Sequence, residues 1–180
     1  KGDYELAKKW YGAKGQYYYS FMYPSNLYKK YAFSKVGKLN EKLFIQVGNS
    51  GDPSNNHIEV FDKLKVHKNL DIEIICPLSY GDKVYTQKVL EYGTELFGDK
   101  FNAVIDFLPS AKYLNLLTKI DIAIFNHNRQ QALGNIITLL GLGKKVYIRK
   151  EITTWQFCID HDLKAYSIDS DFNILFDEMD

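Results

Sequence analysis

The sequence predicts an α/β domain in which a parallel sheet carries helices on both faces. From Lys42 onward, short and nearly unbroken apolar runs recur, among them Leu43-Phe44-Ile45-Gln46-Val47 and Ile122-Ala123-Ile124-Phe125. Each is followed by a longer stretch with apolar residues at helical spacing. Strands covered on both faces read as continuous apolar runs, whereas half-exposed strands alternate, so the pattern points to parallel strands between helical layers.

In chain order, strands are expected at 43–47, 72–76, 103–105, 122–125 and 146–148. Helices are expected between them at 56–67, 82–97, 110–119 and 130–142, and a last one starts near Thr153 or Thr154. This alternation is that of a Rossmann-like half. In such sheets ligands bind at the carboxyl ends of the strands, beside the helix N-termini. Composition divides the chain near 37–40, giving an aromatic-rich segment at 1–40 and the Rossmann-like domain at 41–180.

The segment at 1–40 gathers Tyr17, Tyr18, Tyr19, Phe21, Tyr23, Tyr28, Tyr31 and Phe33 among Lys29, Lys30 and Lys35. Aromatic rings with polar tips suit surfaces that are dry on one side and wet on the other. The expected arrangement is a helix and loop over the core edge, serving as a contact for another lobe. A peripheral contact with a membrane surface is the second reading.

With 180 residues, 46% of them hydrophobic, the chain can bury a substantial core. Its 23 Lys plus Arg against 22 Asp plus Glu leave no global field to attract nucleic acid. Cys76 and Cys158 lie far apart with no CxxC or Cys/His spacing, so neither a zinc site nor a disulfide framework is expected. There is no apolar run long enough for a membrane span and no signal-peptide pattern at KGDYELAKKWYGAKG. A cytoplasmic piece of a longer protein is the expectation.

The stretch VGNSGDPSNNH, from Val47 to His57, stands between a predicted strand and a predicted helix. Gly48 is expected to end the strand and Gly51 to supply a positive φ, while Ser54, Asn55 or Asn56 caps the helix. Free amides there, with donors from Asn49, Ser50 and His57, would suit a phosphate. A well-capped turn accounts for the same residues, since the stretch is neither a Walker A loop nor GxGxxG.

Other candidates sit at the ends of the later strands. Arg129 follows an apolar strand and can clamp a diphosphate, or pair with an acid at the surface. Gln130 and Gln131 would open the next helix, with amides toward the same anion. Asp52 and His57 are candidates for proton transfer, and each is also a plausible cap. Tyr80 is placed to stack on a base or ribose, or to pack on its own strand. His127 and Asn128 precede Arg129, and Trp155 is a candidate wall or core residue. Asp160, His161 and Asp162 point in different directions on a helix and make a poor chelate, so no metal site is expected.

The string GNSGDPSNNHIEVFDKL resembles the bacterial TDP-4-acetamido-4,6-dideoxygalactose (Fuc4NAc) transferases, the 4-alpha-L-fucosyltransferase family, also called glycosyltransferase family 56, whose pattern there is GNSGDxSNxHIE. The resemblance continues through IICPLSYG, matching IxxPxxYG, and through DIAIFNHNRQQALGNIITLLGLGKKVYI, to Trp155-Gln156. It covers roughly residues 40 to 160. It implies the C-terminal lobe of a two-lobed GT-B glycosyltransferase, with the N-terminal lobe elsewhere. A TDP-sugar donor, a polyprenyl-diphosphate-linked oligosaccharide acceptor of enterobacterial common antigen assembly and work at the cytoplasmic face of the inner membrane are also implied. No cofactor is.

Residues and resemblance together assign nucleotide-sugar binding to Gly48, Asn49, Ser50, Gly51, Asn55, Tyr80, His127, Arg129, Gln130, Gln131, Gly134 and Thr138, and catalysis to Asp52 and His57. Two departures stand out. Where the family reads RQQGxGT, this chain has Arg129-Gln130-Gln131-Ala132-Leu133-Gly134-Asn135. At the position where many GT-B enzymes hold the ribose with a glutamate, alignment puts Thr138, which cannot make a charged bidentate contact. A non-catalytic nucleotide or sugar-phosphate binding module and a ligand-free Rossmann-like interaction domain are the alternatives.

Overall fold

The computed structural model describes residues 1–18, 42–170 and 172. Most of the tyrosine-rich cluster and the expected boundary at 37–40 lie outside the described residues. Six strands form one sheet: β1 (Leu43–Val47), β2 (Ile72–Pro77), β3 (Phe101–Val104), β4 (Ile122–Phe125), β5 (Lys145–Ile148) and β6 (Tyr166–Ser167). Their spatial order is β3-β2-β1-β4-β5-β6, and every pairing is parallel. Here the sequence expectation misses one strand, since β6 is two residues long and too short to show a period.

The helices are α1 (Gly2–Tyr11), α2 (His57–Leu64), α3 (Lys83–Phe97), α4 (Ser110–Lys119), α5 (Leu133–Gly141) and α6 (Thr153–Asp160). The pleat divides the core in two. One face of the sheet sends Ile45, Ile74, Ile122 and Tyr147 to meet Phe61 of α2 and Val89 of α3. From the other face Ile75, Ala123, Phe125 and Val146 meet Leu117 of α4, Ile136 and Leu139 of α5 and Cys158 of α6. Each of these large apolar side chains contributes about 1.5–3 kcal/mol by leaving water. Cys76 and Cys158 are both buried, free thiols in opposite cores.

Helix boundaries follow local chemistry. Asp82 caps α3 by accepting from the Tyr85 N–H at 2.6 Å. Lys65–His67 continues α2 as a single 3-10 turn, where one longer helix was expected. Helix α1 buries none of its residues and touches the start of α6, where the Thr153 hydroxyl donates to Asp3 at 2.8 Å. Trp10 and Tyr11 at the far end of α1 are 63% and 82% exposed. No helix among the described residues is long and apolar enough to cross a membrane.

Strand order reverses between β1 and β4, because the connection through α4 leaves the β3 edge and returns beside β1 on the other side. The loops leaving β1 and β4 therefore run to opposite faces, and a crevice opens between them.

Candidate functional site

A cavity of about 600 Å³ fills this crevice, walled by the β1–α2, β2–α3 and β4–α5 loops and by the facing sides of α4 and α5. Of the residues expected at the site, it is lined by Asn49, Ser50, Asp52, Tyr80, Arg129, Gln131, Gly134 and Thr138.

The β1–α2 loop is built around Asn55. Its Oδ1 accepts from the Asn49 amide at 3.0 Å and lies 2.9 Å from His127 Nε2. Its Nδ2 donates to the Asp52 carbonyl at 3.0 Å and to Ser50 Oγ at 3.3 Å. Behind it, the His57 backbone N–H donates to the Tyr85 hydroxyl at 3.0 Å, and that hydroxyl lies 3.2 Å from His57 Nδ1. Burial pushes His57 down to about 3 and His127 to about 4, with the neighbouring His127 and Arg129 charges adding to the respective effects. Both rings are therefore neutral at physiological pH.

These contacts correct several expectations. His57 has no exposed surface, and a base with so low a pKa holds protons poorly. His127 and Asn55 are likewise wholly buried supports of the loop. Gly48, not Gly51, takes the positive φ, at 67°. A side chain there would run into His57 and Asn55. Gly51 is used differently: its N–H donates to the Tyr80 carbonyl at 2.7 Å and its carbonyl accepts from the Asp82 N–H at 3.0 Å, so it ties two loops together against Gly81.

Most of the amides expected to be free in this loop are spent within the protein. Gly48 N–H goes to the Ile124 carbonyl, Asn49 N–H to Asn55, Ser54 N–H to the Asp52 carboxylate and His57 N–H to Tyr85. Asn56 sits at the start of α2 in a left-handed conformation without capping it, and its side chain reaches instead to the Asn126 carbonyl at 2.8 Å. Two helix starts without a side-chain cap open on the cavity: that of α5, which presents Gly134 and Asn135, and that of α4, which presents Ser110. Such a helix start favours an anion.

Helix α5 begins at Leu133, three residues later than expected. Ala132 precedes it with φ 56°, in the left-handed region where the family pattern has glycine. That conformation costs an alanine about 1–2 kcal/mol. Gln130 is exposed and does not line the cavity. Gln131 turns inward, with Nε2 3.4 Å from both Asn49 Oδ1 and Ser50 Oγ. Thr138 donates its hydroxyl to the Gly134 carbonyl at 2.8 Å, one helical turn back.

Arg129 and Asp52 are both on the cavity wall, and they pair with each other at 3.3 Å. With side chains 58% and 37% exposed, this ion pair is worth at most about 1 kcal/mol. The Ser54 hydroxyl and amide hold the Asp52 carboxyl below the ordinary range, and Arg129 lowers it further.

Sequence reasoning missed the α4 wall: Ser110, Tyr113, Leu114 and Leu117, with Asn135 opposite on α5. Burial pushes the Tyr113 hydroxyl up to about 12, and its tip meets the side chains of Gln46 and Asn135. The available signal was Tyr113, Leu114 and Leu117 on one helical face, an apolar stripe carrying one polar tip. Trp155 packs against the second core under Lys150 and does not wall the cavity. Tyr80 does, and its hydroxyl accepts from Asn49 Nδ2 at 2.8 Å. Asp160 to Asp162 form an exposed helix end, and no group of three metal-ligating side chains comes together among the described residues.

Several solved structures share this architecture. The N-terminal domain of Candida albicans trehalose-6-phosphate phosphatase is 13% identical with a TM-score of 0.56, over 72% of this chain and 31% of that one. The C-terminal domain of a group 1 family glycosyltransferase, LpcC, from Francisella tularensis is 15% identical with a TM-score of 0.54, over 70% of this chain and 67% of that one. A UDP-forming alpha,alpha-trehalose-phosphate synthase from Burkholderia xenovorans, in complex with glucose-6-phosphate, is 8% identical with a TM-score of 0.51, over 66% of this chain and 31% of that one. The chain thus spans about a third of the first and last of these, and the likeness is one of fold: a Rossmann-like α/β domain as found in GT-B glycosyltransferases. The family model for 4-alpha-L-fucosyltransferase, glycosyl transferase group 56, matches residues 1–173, and this chain belongs to that glycosyltransferase family.

Proposed function

We propose that this chain is the donor-binding, C-terminal part of a glycosyltransferase that takes a TDP-sugar of the Fuc4NAc type and passes the sugar to a polyprenyl-diphosphate-linked oligosaccharide. The observation that carries the reading is one cavity with an uncapped helix start at α5 on one wall and the Arg129 guanidinium on another. Both complement a diphosphate. Membership of glycosyl transferase group 56 supplies the reaction class.

In this reading the diphosphate lies against the start of α5, with Asn49 and Gln131 as neutral donors and Tyr80 beside the nucleoside. Negative charge on the leaving diphosphate is stabilised by the α5 dipole and by Arg129. The acceptor hydroxyl needs a base. Asp52, held below the usual carboxylate range, is a poor one, and His57 is buried, so we assign the base to the N-terminal lobe. Residues 1–40 are assigned as a unit apart from 41–180 that contacts that lobe, and exposed Trp10 and Tyr11 support this. A bacterial enzyme on the cytoplasmic face of the inner membrane fits such an acceptor. Ala132 and Asn135, where the family pattern has glycine and threonine, favour the alternative of a nucleotide-binding module without turnover.

Calorimetric titration of the chain with TDP, against UDP and GDP as comparators, tests the donor site. Saturable TDP binding is expected, weakened by about 1–3 kcal/mol in Arg129→Ala, the size of a charge-assisted hydrogen bond. A folded chain that binds no nucleotide, or an Arg129→Ala variant of unchanged affinity, sinks the reading.

A further inference from the structure

Among the described residues lining the cavity, Asp52 is the single carboxylate and Arg129 the single cation, and each is the other's ion-pair partner. The two are held unequally. One Asp52 oxygen accepts from the Ser54 N–H at 2.9 Å and lies 2.5 Å from its hydroxyl, as the cap of the Pro53–Asn55 turn. Arg129 has the more exposed side chain of the pair and makes no other hydrogen bond or ion pair with the described residues, so the guanidinium is the group that can turn to a ligand while the carboxylate stays.

We propose that Asp52 is a specificity-determining residue that sets the preference for the sugar-bearing donor over the nucleoside diphosphate left behind. The proposal rests on the donor-site reading above. In transfer, the bond between the anomeric carbon and the diphosphate oxygen breaks and its electron pair stays on that oxygen. The acceptor oxygen bonds to the anomeric carbon, and its proton goes to the base. What remains is a nucleoside diphosphate whose terminal phosphate, with a second pKa of about 6, carries nearly one more negative charge than the donor did at neutral pH. A fixed carboxylate beside Arg129 cancels the cation's net charge and repels the extra charge of the product more than the donor. Leaving is thereby favoured after transfer, and entry of the donor is penalised less.

The experiment is a titration of the wild-type chain and of Asp52→Asn with TDP and with TDP-glucose. Asparagine keeps an oxygen for the Ser54 N–H, so the cap survives. Asp52→Ser, another good N-cap residue, serves as the second variant should the first not fold. Both ligands are expected to bind more tightly to the variants, and TDP is expected to gain about fivefold more than TDP-glucose, the order given by one unit charge across a partly solvated site. The difference shrinks as salt is raised. A TDP to TDP-glucose affinity ratio unchanged in both variants, in a wild type that binds both, overturns the role of Asp52 and leaves the donor site standing. A wild type that binds neither ligand overturns the donor site and this proposal with it.

Discussion

The β1–α2 and β4–α5 loops face each other across the same cavity, yet Ser50, Asn55 and His57 of the first are wholly buried while Asn128, Arg129 and Gln130 of the second stand in solvent. In the first loop many polar groups bond to one another, and Asn55 alone links Asn49, Ser50, Asp52 and His127, while His57 Nε2 is buried without a partner among the described residues. In the second, Arg129 has one loose ion pair and Ala132 sits in a strained conformation. A wall that is dry and internally bonded is preorganised and cannot adjust to a ligand. The wall that can adjust carries the cation, and it is also where this sequence departs from its family's pattern.

Acid should act through the buried histidines, His57 of the first loop and His127 at the base of the second. His57 and His127 titrate near 3 and 4 in the folded chain, against 6.5 for an ordinary histidine. Above pH 6.5 neither folded nor unfolded chain binds these protons, so the stability is fully present. As pH falls below 6.5 the unfolded chain takes up protons that the folded chain refuses, and stability is lost down through the folded values. By pH 5 this amounts to about 2 kcal/mol for each ring, about 4 kcal/mol together. Urea unfolding at pH 7 and pH 5 measures it, and equal midpoints would mean that the histidines are not held neutral.

Gly48→Ala attacks the first wall by shape. It combines a left-handed backbone with a methyl group driven into His57 and Asn55, for an expected loss of about 3 kcal/mol in unfolding free energy. A loss below about 1 kcal/mol would show that the loop yields. The contrasting change is Arg129→Ala, whose unfolding free energy should stay within about 0.5 kcal/mol of wild type, because an exposed pair contributes little. A large thermal shift in that variant would make Arg129 structural and erase the contrast. Ala132→Gly relieves the left-handed strain and should raise stability by about 0.5–1 kcal/mol after the greater freedom of the unfolded glycine is counted. A destabilised variant would mean that the β4–α5 loop does not hold the conformation described.

Much of the fold was legible in the residues themselves. The runs at 43–47 and 122–125 are β1 and β4, the stretch at 110–119 is α4, and the crevice lies at the carboxyl ends of the strands as the parallel pattern requires. These are local properties: whether a strand is buried on both faces, or a helix on one, is written in the spacing of its apolar residues. The wall contributed by α4 was not legible, because Tyr113 becomes a site residue only when the crossover from β3 lays α4 beside α5.

The polar loop shows the same division at finer grain. Its composition marks VGNSGDPSNNH as a turn after a strand, and the family's pattern marks it as a site. Which glycine turns left, and which amides remain free, depended on partners far along the chain: Ile124 takes the Gly48 N–H, Tyr80 the Gly51 N–H, and His127 reaches Asn55 across 72 residues. By itself the sequence determined a Rossmann-like parallel sheet and the family, since period and motif need only neighbours; the switch point came from the strand order. Tertiary structure alone decided that the histidines are buried, that the starts of α4 and α5 open on the cavity, and that Asp52 and Arg129 pair, because hydrogen bonds and charges are apportioned only after distant loops meet.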